Sequence, residues 1–312
     1  MELQTKVKIK AGRRFSYNSR YMMFGSCFAQ NIGEKMLGHR FCCDVNPFGI
    51  LYNPFSIAKA IERTMDNRPM NRTELIQHNG LWHSWLHHGS FSSGDADKSL
   101  AAINSRMEAA AQNLMTADCL IITFGSSVVY ERDGEAVANC HKLPARAFTE
   151  RRLTVSEITE RYTALIARLR EYNPTIHIIF TVSPVRYMGR GAFDGNCNKA
   201  VLLLAVEELC RSIDGTSYFP SYEIVMDELR DYRFYAEDMI HPSPQAVEYV
   251  WERMCASLFS DETRLAMKEI DGICKALAHR PFHPDSDEYA MFLEKTREKI
   301  VRIKEKYPSI VI

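Results

Sequence analysis

The sequence predicts an α/β fold in which a parallel sheet is covered by helices on both faces. Two observations carry this expectation. Runs of strand length dominated by apolar residues, Cys119-Leu120-Ile121-Ile122-Thr123-Phe124 and Ile176-His177-Ile178-Ile179-Phe180-Thr181-Val182, have the composition of buried parallel strands. Between them lie amphipathic stretches of helical period, which right-handed crossovers distribute over the two sides of such a sheet. Ligands then gather beyond the carboxyl ends of the strands.

The elements follow in order. The run ending in Met22-Met23-Phe24 is the first strand, and it delivers Gly25-Ser26 to a helix with apolar positions Phe28, Ile32, Met36 and Leu37. Phe41-Cys42-Cys43-Asp44-Val45 reads as a second, short strand, followed by the turn-rich run Asn46-Pro47-Phe48-Gly49-Ile50-Leu51-Tyr52-Asn53-Pro54. Ser56 is expected to cap a helix reaching Met65. From Asp66 to Gly94 polar turns mix with Leu81-Trp82-His83-Ser84-Trp85-Leu86-His87-His88, which fits neither period, so an irregular insertion near the site is expected. Asp95 opens a long helix with Leu100, Ile103, Met107, Ala111 and Leu114 at helical spacing, and the Cys119 strand follows.

Val128-Val129-Tyr130 and Ala136-Val137-Ala138 flank Asp133-Gly134, a turn pair that predicts a hairpin beyond the carboxyl edge of the sheet. Thr154-Val155-Ser156-Glu157 has the spacing of a capping box, ahead of the apolar face Ile158, Tyr162, Leu165, Ile166 and Leu169. After the Ile176 strand come a helix from Cys197 to Ile213 and a weaker strand near Tyr218 or Ile224. A further helix begins at Ser243-Pro244, with Val247, Val250, Met254 and Leu258 on one face. Residues 1–260 read as one domain; 261–312 read as a charged helical extension packed on it, broken at Pro281-Phe282-His283-Pro284.

Composition narrows the function. A chain of 312 residues, 46% hydrophobic, buries a large core. Lys plus Arg and Asp plus Glu stand at 39 each, so neither a nucleic-acid footprint nor an anionic-membrane footprint is expected. No stretch approaches the roughly 18 uninterrupted apolar residues of a spanning helix, and Met1 to Lys10 lack the apolar centre of an export signal. Nine cysteines, an odd count that includes the adjacent pair Cys42-Cys43, suit a reducing compartment, and the expected location is the cytoplasm. His83, His87 and His88 with Cys140 or Cys197 lack zinc-ligand spacing, and neither a metal nor another cofactor is expected. Gly189-Arg190-Gly191 lacks the remaining glycine and lysine of a phosphate loop. The oligomeric state is left open.

Three polar constellations fall at strand ends: Gly25-Ser26, Gly125-Ser126-Ser127 and Ser183-Pro184-Val185-Arg186. A serine where a strand hands over to a helix points its hydroxyl and its amide into open space, the position a nucleophile requires. Asp238-Met239-Ile240-His241, just before a capped helix, can set a carboxylate against imidazole Nδ1 and leave Nε2 to take a serine proton. Ser26, His241 and Asp238 thus form nucleophile, base and orienter. The plain alternatives are a helix cap and an ordinary turn. Cys27 is expected to point away from Ser26 as a buried structural thiol.

Gly25-Ser26-Cys27-Phe28-Ala29 matches the signature of the GSCFA family. The chain also resembles that family at Asn46-Pro47-Phe48-Gly49 through Tyr52-Asn53-Pro54, Asn139-Cys140-His141-Lys142, Ser183-Pro184-Val185-Arg186 and Asp238-Met239-Ile240-His241-Pro242. The resemblance spans Phe24 to Phe259, with five separated motifs in order. GSCFA proteins resemble the SGNH, or GDSL, hydrolase superfamily, which implies a flavodoxin-like three-layer α/β/α fold and esterase or acyl-transfer chemistry. By that likeness Ser26 is the nucleophile, Gly49 the second-block oxyanion glycine, and Asp238 and His241 the other triad members. One departure stands out: the superfamily's third block is Gly-x-Asn, and here Gly125-Ser126-Ser127 replaces it.

Ser127, Asn53 and Asn139 are the candidate replacements for the missing oxyanion amide, while His141, Lys142, Arg186 and Trp82 are candidates to orient a substrate. The implied function is a serine-dependent ester hydrolase or acyltransferase acting on a small-molecule or glycan ester, such as an acylated carbohydrate. Its rival is a non-catalytic glycan-binding or scaffolding module on the same fold, motivated by Ser127 in place of asparagine.

Overall fold

The computed structural model describes residues 4–10, 12–308, 310 and 312; Met1, Glu2 and Leu3 of the amino-terminal stretch lie outside them. Five strands form the central sheet: β1 (Arg20–Gly25), β2 (Cys42–Val45), β3 (Cys119–Phe124), β4 (His177–Val182) and β5 (Thr216–Tyr218). Every neighbouring pair is parallel, and the spatial order is β2-β1-β3-β4-β5. This is the flavodoxin-like order, whose switch point lies between β1 and β3. The register pairs Gly25 with Thr123 and Thr123 with Thr181, so β1, β3 and β4 reach one edge nearly level. Ser26, Gly125 and Ser183 all lie just beyond that edge.

Strand alternation assigns the faces. Met22, Phe24, Leu120, Ile122, Phe124, Ile178 and Phe180 pack with α2 (Pro54–Asp66), α3 (Ala96–Met115), α4 (Val155–Tyr172) and α5 (Ala192–Ser212). Their sequence neighbours Tyr21, Met23, Cys119, Ile121 and Ile179 pack with α1 (Cys27–Gly38), α6 (Pro244–Leu258) and α7 (Asp261–Ala278). A period of two in each strand therefore covers both faces with apolar layers. The last helix, α8 (Asp287–Lys306), adds Ile303 to the second layer, as do Tyr307 and Ile310 beyond it. Among the described residues no helix is long and apolar enough to cross a membrane.

Local chemistry accounts for the helix starts. Thr154 and Glu157 form the reciprocal capping box, and Ser243 accepts from the Ala246 amide at 3.2 Å. The cap of α2 is Asn53 rather than Ser56: Asn53 Oδ1 accepts from the Ser56 amide at 2.8 Å, with Pro54 pre-set for the first turn. The Ser56 hydroxyl instead donates to the Val137 carbonyl.

Other boundaries also differ from the sequence expectation. The 66–94 insertion contains an antiparallel hairpin, Leu75–His78 with Leu81–Ser84, turned by Asn79-Gly80 with φ of 48° and 74°. The Asp133-Gly134 hairpin forms and gains a third strand, Thr149–Arg152, whose charged composition hides its β character. Helix α5 begins at Ala192, ahead of Cys197, and Ile224 belongs to a helical turn rather than a strand.

Candidate active site

Ser26 sits between β1 and α1 with φ −71° and ψ 179°, the extended backbone of a helix cap. It caps nothing: its side chain makes no bond to the α1 amides, and its buried Oγ has no hydrogen-bond partner among the described residues. The turn that carries it is pinned from both sides. The Gly25 amide donates to Asn46 Oδ1 at 2.9 Å, and the Gly25 carbonyl accepts from the Leu51 amide at 2.9 Å. Gly25 has φ 152°, and a Cβ there would stand 2.5 Å from the Thr123 carbonyl oxygen, so only glycine lets β1 close on β3 at this point. The amides of the first turn of α1, two of which also face the Cys27 thiol, give the serine an electropositive surround.

The second strand end lies directly against it. The Gly125 and Ser126 amides both donate to the Tyr52 carbonyl, at 2.8 and 2.9 Å, which draws the loop over the switch point. A Cβ on Gly125 would lie 3.3 Å from Ser26 Cβ.

Asp238 and His241 form their pair. Asp238 Oδ2 meets His241 Nδ1 at 2.6 Å, and Oδ1 accepts the Ile240 and His241 amides at 2.9 and 3.0 Å. Those bonds, the His241 amide foremost, pull the Asp238 carboxyl down to about 2. Met239 takes φ 56° to let the carboxylate fold back, a left-handed conformation unusual for its side chain. The Arg186 amide donates to the Ile240 carbonyl at 2.9 Å, hanging this turn on the loop after β4.

The two halves of the site face the same end of the sheet. Burial pushes the Cys27 thiol up, Asp238 acts in the same direction, and Lys199 opposes it. The imidazole–alcohol hydrogen bond is not made in this structure. His241 is 48% exposed at the mouth, whereas Ser26 is 1% exposed.

The remaining candidates serve the frame. The Gly49 amide is donated to the Asn46 carbonyl at 2.7 Å, and at φ 75° a Cβ there would meet His88 Cβ at 2.4 Å. Asn53 is occupied as the α2 cap, and its Nδ2 donates to Ser56 Oγ. The Ser127 hydroxyl is buried and donates to Asn198 Oδ1 at 2.7 Å. Asn139 Oδ1 accepts the His141 amide at 2.8 Å. His141 Nε2 bonds the Ser84 carbonyl at 2.8 Å, and burial lowers its pKa. Arg186 donates to the Tyr222 hydroxyl at 2.8 Å. His87, stacked on Phe48, is pushed by burial down to about 3. None of these polar groups bonds Ser26 here.

Sequence reasoning missed Asn198 and Lys199. Lys199 is 5% exposed, and its Nζ donates to the Gly125 carbonyl at 2.8 Å and the Ser183 carbonyl at 2.7 Å. The signal was available: Lys199 falls on the same helical face as Leu202, Val206 and Leu209, a cation on the buried stripe of α5.

A serine at the end of β1 and an Asp–His pair hung on the loop after β4 lie at the carboxyl end of a flavodoxin-like sheet. The chain belongs to the GSCFA family: the profile of that family matches residues 20–254, and the profile of the GSCFA domain protein, C-terminal domain, matches 270–311. Among solved structures the chain is similar to an acetyl esterase mutant crystallised with acetate ion, at 9% identity and a TM-score of 0.36, covering 81% of this chain and 99% of that one. It is also similar to an acetyl xylan esterase from the rumen bacterium Butyrivibrio proteoclasticus, at 11% identity and a TM-score of 0.36, covering 77% of this chain and 64% of that one. No curated protein matches.

Proposed function

We propose that this protein is a serine-dependent ester hydrolase or acyltransferase in which Ser26, His241 and Asp238 act together. The observation that carries the reading is the Ser26 hydroxyl: buried at a helix head and without a hydrogen-bond partner among the described residues, at the same end of the sheet as the Asp–His pair hung on the loop after β4. Unpartnered buried hydroxyls cost stability, so a retained one points to use.

In this mechanism the His241 turn closes, Nε2 takes the Ser26 proton, and Oγ bonds to the ester carbonyl carbon. Asp238 supports the imidazolium through Nδ1. The oxyanion rests against the amides at the head of α1. As the tetrahedral intermediate collapses, the ester C–O bond breaks and the leaving alkoxide takes the proton from His241. Water or a sugar hydroxyl then releases the acyl group by the same route in reverse. With the Ser127 hydroxyl and the Gly49 amide engaged elsewhere, both of these donors are missing, each a loss worth on the order of 10²–10³ in rate, and a modest catalyst results. Acylated carbohydrate is the substrate class proposed, on the resemblance to the SGNH superfamily.

The rival reading, a non-catalytic glycan-binding or scaffolding module, is favoured by the missing bond between Ser26 and His241. A fluorophosphonate probe separates the two. The catalytic reading expects labelling of the wild type and none of Ser26→Ala; equal silence in both supports the binding module.

A further inference from the structure

Lys199 is a buried ammonium that bridges two strand-end loops of this site. Its Nζ is clamped by the Gly125 carbonyl, after β3, and the Ser183 carbonyl, after β4. Gly125 packs on Ser26, where an added Cβ would stand 3.3 Å from Ser26 Cβ. The Ser183 loop carries the other half, because the Arg186 amide holds the Ile240 carbonyl one residue before His241. We infer that Lys199 is a positioning residue of the Ser26 site: its amine nitrogen ties the loop packed on the nucleophile to the loop that carries the base, and its protonated form holds them in working register. The inference deepens the catalytic reading and rests on it.

The chemistry of the amine explains why charge matters. Protonated, Nζ offers charge-assisted bonds to both carbonyls and keeps a third N–H toward the Tyr222 ring, whose centroid lies 5.9 Å away. Neutral, it keeps two weaker donors and loses the cation–ring attraction, and the loops loosen. The groups facing it are the Arg186 guanidinium from the loop after β4, the Cys27 thiol from α1 and the Tyr222 phenol. Asp238 in turn acts on Cys27. Burial, with Arg186 adding to it, lowers the lysine to about 7, so the clamp changes character within an ordinary working range.

The test is the rate of fluorophosphonate labelling between pH 5.5 and 9 for wild type, Lys199→Met, Lys199→Gln and Ser26→Ala, with melting curves for each. The expected result is a wild-type rate that falls on the alkaline side as pH passes about 7. In the Lys199 variants the rate at pH 6.5 should be at least about 10-fold lower, and that alkaline limb should be absent. A wild-type rate that climbs steadily to pH 9 overturns the inference and needs no variant to fold. So does a Lys199 variant that labels like wild type, or one slowed equally at every pH with the limb retained, which marks a merely structural clamp. A wild type that never labels, or a Ser26→Ala that labels equally, overturns the catalytic reading and this inference together.

Discussion

Replacing Ser26 by alanine should stabilise the fold, the reverse of what alanine does at an ordinary helix cap. A capping serine loses about 1 kcal/mol on truncation because its hydroxyl no longer serves an end amide. Ser26 serves none, so that loss is absent. Its Oγ is buried without a partner, a state that costs about 1–3 kcal/mol in lost hydration. The net expectation is a gain of about 1–2 kcal/mol, or a melting temperature higher by about 1.5–3 °C for a chain of this size. Urea denaturation of Ser26→Ala beside Ser243→Ala is the assay, because the Ser243 hydroxyl does accept from the Ala246 amide and its removal should cost about 1 kcal/mol. Equal destabilisation in the two variants would refute the reasoning, since it would mean that Ser26 is hydrogen-bonded in the folded protein.

Gly25→Ala should be strongly destabilising, by about 2–5 kcal/mol, because a Cβ at 2.5 Å from the Thr123 oxygen must move a central strand and the backbone is already outside the usual range for other residues. Gly38→Ala, with open space around it, should change stability by less than about 1 kcal/mol, and urea midpoints of the two report the contrast. Asp238→Asn should lower kcat on an aryl ester by on the order of 10³–10⁴ by fixing the wrong imidazole tautomer, and a loss under about 10-fold would remove Asp238 from the mechanism. The pH dependence of stability should carry the mark of Lys199. Unfolded, the lysine holds its proton up to its ordinary 10.5; folded, it holds it only to about 7. The unfolded state binds more protons between those values, so this group makes stability rise with pH across that window, and Lys199→Met should lack the rise.

Much of the fold was legible because parallel strands buried on both faces leave an unmistakable mark: Cys119–Phe124 has no exposed residue at all. Caps with short-range chemistry, such as Thr154 with Glu157, were equally plain. Less visible was structure whose partner lies far along the chain. Thr149–Arg152 becomes a strand by pairing with Val128–Glu131, and its own residues carry no strand signal. The Asn79-Gly80 turn was an overlooked local cue, masked by the histidines and tryptophans around it. At the site, the Asp238–His241 pair was readable because it closes over three residues, and the carboxylate does meet imidazole Nδ1. The occupation of Gly49, Asn53 and Ser127 was not, because a motif names residue types and says nothing of which donors the surrounding frame has already consumed. Lys199 escaped because a helix with a lysine on its apolar stripe resembles an imperfect helix until both strand-end carbonyls are seen beside it.

The most direct test of the central claim is a crystal structure of the protein after reaction with a fluorophosphonate. The account expects phosphorus bonded to Ser26 Oγ, with the His241 turn closed so that Nε2 lies within about 3.2 Å of that oxygen. An adduct on another residue, or phosphorus on Ser26 with the His241 ring still at the open mouth and out of reach, would contradict it.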